Sequence, residues 1–241
     1  MTTNFYAPPA QIRGDRVVLP DGEARHARSV LRAETGDEIA VVDGEGGWYR
    51  VRLDHVGDGQ VVGHIVDARR EVGEPDVAMT VGLGLLTKRS RLETFVEKAV
   101  ELGVRRLVPL RTRHTEPTEV RADRLRRVMV AALKQCRRSR LPELTAPQSL
   151  DALLEATTAD VRFLCHGGEH PPLLDALDGP APDDVLALVG PEGGFAPGEV
   201  AAATAAGCIP VSLGPRRLRA ETAGLAAINA VMLYDQHRRA P

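Results

Sequence analysis

The residues best placed to do chemistry lie toward the carboxyl end, in two glycine-rich turns. The first is Leu188-Val189-Gly190-Pro191-Glu192-Gly193-Gly194-Phe195, and the second is Leu213-Gly214-Pro215-Arg216-Arg217-Leu218-Arg219-Ala220-Glu221-Thr222-Ala223. Each begins as an apolar, strand-like run, stops abruptly at glycine and meets a helix-forming stretch. A strand that ends this way leaves backbone N–H and C=O groups facing a crevice at the carboxyl ends of parallel strands, where ligands bind in open α/β sheets. Such edges suit an adenine and a ribose. Gly193 and Gly194 remove side chains where a ligand or a second chain segment must approach the backbone. Beyond them, Arg219 and Glu221 bring a cation and a carboxylate to a helix start, two residues apart and so aimed in different directions. Turn glycines in two ordinary strand-to-helix loops are the plainer reading of the same residues.

Other motifs fail on context. Gly82-x-Gly84 follows a strand, but Thr87 stands where a dinucleotide fingerprint needs its third glycine, and no helix starts on time. His166-Gly167-Gly168-Glu169-His170 has the spacing of a helical metal pair, yet its two glycines and Pro171-Pro172 argue for a loop and no metal site. Neither a phosphate-binding G-x-x-x-x-G-K-[ST] nor a G-x-S-x-G is present. Cys136, Cys165 and Cys208 are odd in number and far apart, and they form no C-x-x-C pair, so reduced structural thiols are expected.

The elements that must position these residues fall into two series. Up to about Arg70 the chain reads as short strands, Arg16 to Leu19, Glu38 to Asp43, Trp48 to Leu53 and Gln60 to Asp67. They are broken by Asp43-Gly44-Glu45-Gly46-Gly47 and Gly57-Asp58-Gly59, which supply the positive-φ positions of hairpins. A small β-barrel with one helix, Glu23 to Leu31, is the natural closure, and Arg69 to Asp76 reads as a linker. We place the division between a 1–72 domain and a 73–241 domain. From Val77 the rhythm becomes apolar strand followed by amphipathic helix, the α/β order of a parallel sheet. Strands are expected at Val77 to Leu85, Arg106 to Leu110, Val161 to Cys165, Val185 to Val189 and Ile209 to Leu213. Helices are expected near Arg91 to Leu102, Asp123 to Arg137, Ser149 to Ala156, Pro197 to Ala206 and Ala220 to Tyr234. The strands do not alternate, as strands buried on both faces should not.

A formal net charge of -2 over 241 residues argues against a protein that holds nucleic acid by bulk charge alone. Arg and Lys nevertheless cluster in Arg105 to Arg113, Arg121 to Arg140 and Arg216 to Arg219. Along the Asp123 helix, Leu125, Val128, Met129, Ala132, Leu133 and Cys136 form one apolar stripe. Arg124, Arg127, Lys134 and Arg138 project within an arc of roughly 80° opposite. That arc faces solvent or phosphate, and the pattern does not choose between them. No apolar stretch approaches the roughly 18 residues that cross a bilayer, and no secretory leader is visible, so a soluble, cytoplasmic protein is expected.

Together, Gly190 to Phe195 and Leu213 to Ala223 resemble the hallmark of the RsmE family, the 16S ribosomal RNA uracil-N3 methyltransferases of the SPOUT (trefoil-knot) class. The likeness extends to Lys88, Lys98-Ala99-Val100-Glu101-Leu102-Gly103-Val104, Gln135-Cys136 with Arg138, Pro142 and the last helix through Asn229. In the first domain, His26, Val30-Leu31-Arg32 and Gly36-Asp37 resemble the family's PUA-like RNA-binding barrel. Two residues depart from the pattern. Lys134 stands where glutamate is usual, and Ala196 stands where a hydroxyl N-cap is common, leaving Pro197 and Glu199 as half of a capping box.

The resemblance implies a PUA-like barrel followed by an α/β domain with a deep carboxyl-terminal trefoil knot, assembled as a homodimer whose cofactor pockets lie against the partner. It implies S-adenosylmethionine bound by His166, Gly167, Gly190, Pro191, Glu192, Gly193, Gly194, Leu213, Gly214, Leu218, Arg219, Thr222 and Ala223. Methyl transfer from a sulfonium to a ring nitrogen is an in-line displacement, so alignment and exclusion of water are the protein's main tasks. Uracil N3 is a weak acid, which calls for a base or for cations near O2 and O4. Arg219 and Glu221 are the catalytic candidates, although a structural pair across the dimer would use the same residues. Arg13, Arg16, Lys88, Arg124, Arg127, Lys134 and Arg138 are the candidates for holding 16S rRNA in the small ribosomal subunit. With 3% aromatics, phosphate and shape contacts fit better than extensive stacking. A ribose 2′-O-methyltransferase of the same class and a non-catalytic ribosome-assembly protein that binds RNA are the competing readings.

Overall fold

The computed structural model describes residues 4–57, 59–116 and 119–239, which divide into two compact units. The first runs to Glu74 and takes in a second segment, Val130–Leu141. Its strands are β1 (Phe5–Tyr6), β2 (Ile12–Arg13), β3 (Arg16–Val18), β4 (Glu38–Val42), β5 (Gly47–Gly57) and β6 (Gln60–Arg70), with α1 (Asp21–Ser29) after β3. They form a six-stranded sheet in the order β1-β4-β5-β6-β3-β2, parallel at β1/β4 and antiparallel elsewhere. The small barrel expected from the sequence takes the form of this bent sheet, with β1 and β2 at its two ends among the described residues. Both are only two residues long and arise from a stretch with no alternation to betray it. Register shifts at Arg50/Val51 and Leu53/His55 bend β5, as bulges do, around a core of Phe5, Val17, Leu19, Ala27, Val41, Val51, Leu53 and Val61.

Asp43 shapes the β4–β5 connection. Its Oδ1 accepts the N–H groups of Glu45 (2.7 Å) and Gly47 (2.8 Å), and its Oδ2 accepts the Tyr49 hydroxyl at 2.9 Å. Gly44 and Gly46 take φ of 81° and 94°, the left-handed values expected of that turn. Glu74 does comparable work for the second segment of the unit. Its Oε2 accepts from Arg138 Nη2 at 2.7 Å, and its Oε1 accepts the N–H groups of Ser139 (3.0 Å) and Arg140 (2.9 Å). A carboxylate with this many donors is satisfied although almost wholly buried.

The second unit covers Pro75–Met129 and Pro142–Pro241. Its strands are β7 (Ala78–Gly84), β8 (Arg106–Arg111), β9 (Glu143–Leu144), β10 (Gln148–Ser149), β11 (Val161–Cys165), β12 (Asp184–Val189) and β13 (Ile209–Val211). All pair in parallel, in the order β10-β8-β7-β12-β11-β13, with β9 beside β8. Between them run α2 (Arg89–Glu101), the first part of α3 (Ala122–Cys136), whose residues from Val130 belong to the first unit, α4 (Leu150–Ala156), α5 (Pro197–Ala205) and α6 (Ala220–Arg239). The α/β domain anticipated from the sequence is therefore present, and β12 is buried from Val185 through Val189, as an unalternating central strand should be. On one side Leu110, Leu153, Leu164, Leu186, Leu188, Phe195 and Ala203 form a core; on the other, α2 and α6 meet through Phe95 and Gly224. A Cβ at Gly224 would lie 2.6 Å from Phe95 Cε2, which explains a glycine in mid-helix. α6 continues past the expected end at Tyr234 because Arg239 pairs with Asp235 (2.6 Å) and Asp183 (2.8 Å). No helix among the described residues is long and apolar enough to cross a membrane.

One expectation for α3 is corrected. The helix ends at Cys136, and Arg137 adopts φ 63°, so a helical projection does not reach Arg138. Arg138 is 2% exposed and spends its guanidinium on Glu74 instead of on the basic arc. Removing one partner of a buried pair strands the other charge. Glu74→Ala should therefore lower unfolding stability by about 3–5 kcal/mol, read from the urea midpoint, whereas truncating the exposed Arg13 should leave that midpoint within about 0.5 kcal/mol.

Candidate active site

Three loops at the carboxyl ends of β11, β12 and β13 enclose a cavity of about 780 Å³ within the second unit. It is lined by 165–168 after β11, by 189–195 after β12, and by 211–220 with Ala223 after β13. The size suits a ligand as large as a nucleoside with a side chain. Within the lining, Gly167, Gly194 and Gly214 have open space where a Cβ would project, and Gly194 and Gly214 hold φ of 71° and 107°. Side chains at Gly194 and Gly214 would strain the backbone, whereas Gly167 has room for a methyl group.

Close approaches fix the Gly190–Phe195 turn. A Cβ on Gly84, the last residue of β7, would overlap Cδ and N of Pro191. Of the Gly82-x-Gly84 pair that fails as a dinucleotide motif, Gly84 is therefore a contact surface for this turn, while Gly82 lies against Leu110, Leu153 and Leu188 in the core. Within the turn, Gly190 faces Gly194, whose carbonyl carbon would be 2.9 Å from a Cβ at 190, and the Gly194 N–H donates to Pro191 O at 2.9 Å. On its far side Gly193 lies against His114, whose Cβ would stand 2.9 Å from a side chain at 193, while His114 Nδ1 is 3.1 Å from Gly194 O. The loop carrying His114 is tied to α5 by Glu199, which accepts the N–H of Arg113 and that of Ala196, each at 2.8 Å.

The charged residues divide by position. Arg216, Arg217 and Arg219 line the cavity and are exposed, and their guanidinium groups make no hydrogen bond or ion pair to any described residue. Glu221 does not line it. α6 begins at Ala220, and a rotation of about 100° per residue keeps Ala220 and Ala223 on the cavity side while turning Glu221 and Thr222 away. Thr222 is exposed, and Glu221 lies beside Arg91, with Oε1 3.6 Å from Arg91 Nε. Glu192 keeps its place in the lining and accepts the Thr87 N–H at 3.2 Å. Cys165 contributes a thiol that burial pushes up to about 12, so it stays protonated at neutral pH and serves as an apolar wall.

Of the other expected residues, His166, Gly167, Gly190, Pro191, Glu192, Gly193, Gly194, Leu213, Gly214, Leu218, Arg219 and Ala223 all line the cavity. His166 and His170 have ring centroids 5.8 Å apart in a bent loop with Gly168 at φ 126°, and no three His, Cys, Asp or Glu side chains among the described residues converge as metal ligands. Sequence reasoning passed over Gly168, Phe195, Ser212, Pro215, Arg216 and Arg217 as lining residues. The Arg216 to Arg219 cluster was the available signal for the last two. Arg13, Arg16, Lys88, Arg124 and Arg127 are exposed; Arg124 holds the Glu93 carboxyl below its ordinary range through a 2.8 Å hydrogen bond. Lys134 is largely covered and pairs with Glu23 at 2.6 Å.

This lining fits S-adenosylmethionine. The strand-end turns carry backbone groups of the kind an adenine and ribose need, Gly167, Gly194 and Gly214 leave open space, and Glu192 brings a carboxylate to the lining. Gly84→Ala should displace Pro191 and weaken occupancy of the cavity by roughly 10- to 100-fold, the effect of an overpacking strain of 1–3 kcal/mol. Calorimetric titration with S-adenosylmethionine measures it, and Gly167→Ala, at an open position, is the milder comparison.

The comparisons with known proteins agree with this geometry. The family model described as RNA methyltransferase domain matches residues 74–232, and that described as RNA methyltransferase PUA domain matches 19–66. A curated relative from Synechocystis, Ribosomal RNA small subunit methyltransferase E, is 32% identical over 241 residues, covering 96% of this chain and 78% of its own. A probable rRNA-methyltransferase from Porphyromonas gingivalis superposes with a TM-score of 0.90 at 30% identity, covering 98% of this chain and 100% of its own. The Neisseria gonorrhoeae Ribosomal RNA small subunit methyltransferase E, solved bound to S-adenosyl methionine, gives 0.87 at 26% identity over 97% of this chain and 98% of its own. With a parallel sheet, a glycine-lined cavity at its strand ends and a PUA domain before it, this chain belongs to the RNA methyltransferase family of Ribosomal RNA small subunit methyltransferase E.

Proposed function

We propose that the chain binds S-adenosylmethionine in the cavity after β11, β12 and β13 and methylates N3 of one uridine of 16S rRNA in the small ribosomal subunit. The observation that carries this reading is a single cavity with a glycine-lined backbone rim on one side and the unpaired Arg216, Arg217 and Arg219 on the other. When bound, the cofactor supplies an electrophilic methyl group on a sulfonium. The protein's own work is alignment and electrostatics. Arg219, exposed on the lining just before α6, is positioned to hold the uracil carbonyls on which negative charge develops as N3 loses its proton. Arg216 and Arg217 add a positive field that suits RNA phosphate. Glu221, turned toward Arg91, is better placed to orient than to accept the N3 proton.

RNA holding falls to Arg13 and Arg16 in the first unit and to Lys88, Arg124 and Arg127 in the second. This division supports an RNA-holding 1–72 domain followed by a catalytic 73–241 domain. A homodimer and the threaded path of a trefoil knot belong to the same reading. Neither changes the chemistry assigned to Arg219.

The test is methylation of small subunits lacking the modification, with the product nucleoside identified by mass spectrometry. N3-methyluridine is expected. A 2′-O-methyl product would replace this reading with ribose methylation, and absence of both cofactor binding and product would leave an RNA-binding protein without catalysis. Arg219→Ala should lower turnover by about 10²- to 10³-fold, the scale for losing one preorganised group at a developing oxyanion. Cofactor affinity should stay within about threefold, because most of the lining is backbone. Near-normal turnover in that variant would remove Arg219 from the mechanism.

A further inference from the structure

Arg91 lies on α2, outside the cavity lining, yet its guanidinium stands between two carboxylates, one on the cavity-lining turn after β12 and one behind the lining in the first turn of α6. Nη1 is 3.8 Å from Oε1 of Glu192, on the turn after β12, and Nε is 3.6 Å from Oε1 of Glu221, in the first turn of α6. Glu192 is held from a third direction by the Thr87 N–H at 3.2 Å. The Glu221 side chain is only 12% exposed, and its Oε2 is buried without a hydrogen bond to any described residue. A carboxylate so covered needs a cation to remain where it is, and Arg91 is the cation beside it.

We infer that Arg91 is a positioning residue for the methyl transfer: it clamps Glu192 to Glu221 and so sets the separation between the cofactor-side turn and the start of the helix that follows Arg219. This inference rests on the reading of the cavity given above. Arg219 stands two residues before Glu221, so any swing of the α6 start moves its guanidinium relative to the Gly190–Gly194 turn. In-line displacement tolerates little of that, since small misplacements of reacting groups cost large factors in rate. The device needs arginine. A planar fork can address two carboxylates from different nitrogens at once, whereas a lysine ammonium is one point charge on a flexible stem. Arg91 is not part of the cavity lining; it acts through the two glutamates.

The experiment compares Arg91→Ala, Arg91→Lys, Glu221→Gln and the Arg91→Ala/Glu221→Gln double variant with the wild-type chain, after circular dichroism has established which are folded. Three readouts are taken: calorimetric affinity for S-adenosylmethionine, the split between kcat and KM, and amide hydrogen exchange of 190–195 and 219–223 without cofactor. Arg91→Ala should weaken cofactor affinity by about tenfold, within the range of coupled contacts, lower kcat as well, and speed exchange in both segments. Arg91→Lys should recover part of each effect. The double variant should be no worse than Arg91→Ala by more than about twofold, since both changes break one link. Wild-type affinity, kcat and exchange in a folded Arg91→Ala chain, or fully additive losses in the double variant, would overturn the clamp. Should Arg91→Ala not fold, Arg91→Lys and Glu221→Gln decide by the same readouts. Failure of the wild-type chain to bind S-adenosylmethionine would overturn the cavity reading, while exchange in the cofactor-free protein still decides the clamp.

Discussion

Pro191 rests on the end of β7 at a point where only a glycine can stand, because any Cβ on Gly84 would overlap its ring. From that contact the rest of the site follows. β7 and β12 are adjacent and in register from Ala78/Asp184 to Leu83/Val189, so the turn that leaves β12 must pass directly over the end of its neighbour. Gly190 and Gly194 then fold the turn on itself, and Gly193 admits His114 from outside. A backbone pressed against backbone in this way has little room to relax, in keeping with close-packed interiors that respond to even one added methylene. The glycines here serve two ends: some let chain segments approach each other, and others, such as Gly167 and Gly214, leave space for a ligand.

Charge in this molecule is organised by what it is tied to. With a net charge of -2 the chain has no bulk attraction for RNA, and several of its basic residues are committed internally: Arg138 to Glu74, Lys134 to Glu23, Arg239 to Asp183 and Asp235. The uncommitted cations are therefore the informative ones. Arg216, Arg217 and Arg219 sit on the cavity, where a developing negative charge would meet them at close range. Burying Arg138 with Glu74 is a different use of the same residue type, since an almost fully covered pair with two further backbone donors, the N–H groups of Ser139 and Arg140, specifies local structure and contributes nothing to an external field.

The α/β order and the cavity loops were legible in the sequence because they rest on period and punctuation: short apolar runs ended by glycine, then helical stretches. β11 was expected at Val161 to Cys165 and is found there, and β12 differs by one residue. β9 and β10 were invisible because two-residue strands have no period. The two-residue end strands of the first sheet, β1 and β2, lack a period for the same reason. Arg138 leaves the helical projection because Arg137 takes a positive φ, and nothing in the residue types marks where α3 stops. Glu221 and Thr222 followed from motif membership, which says which residues travel together and not which way each side chain points; the start of α6 at Ala220 decides that. The seating of Pro191 on Gly84 links positions about a hundred apart in sequence, and no local pattern encodes it.

The two departures from the family pattern show how local substitutions are absorbed. Ala196 cannot cap α5 with a side chain, so the first turn of that helix depends on Glu199, whose Oε2 accepts the Ala196 N–H. The other oxygen of Glu199 accepts the Arg113 N–H and thereby holds the loop on which His114 meets Gly193 and Gly194. A hydroxyl at 196 would serve the helix terminus alone. Relying on Glu199 joins the helix terminus, the His114 loop and the cofactor-side turn through one carboxylate, so a loss there would loosen all three. Lys134 is absorbed differently: its ammonium meets Glu23 within the first unit, which neutralises the change of sign where it occurs and leaves the field at the Arg216–Arg219 rim to the residues of that rim.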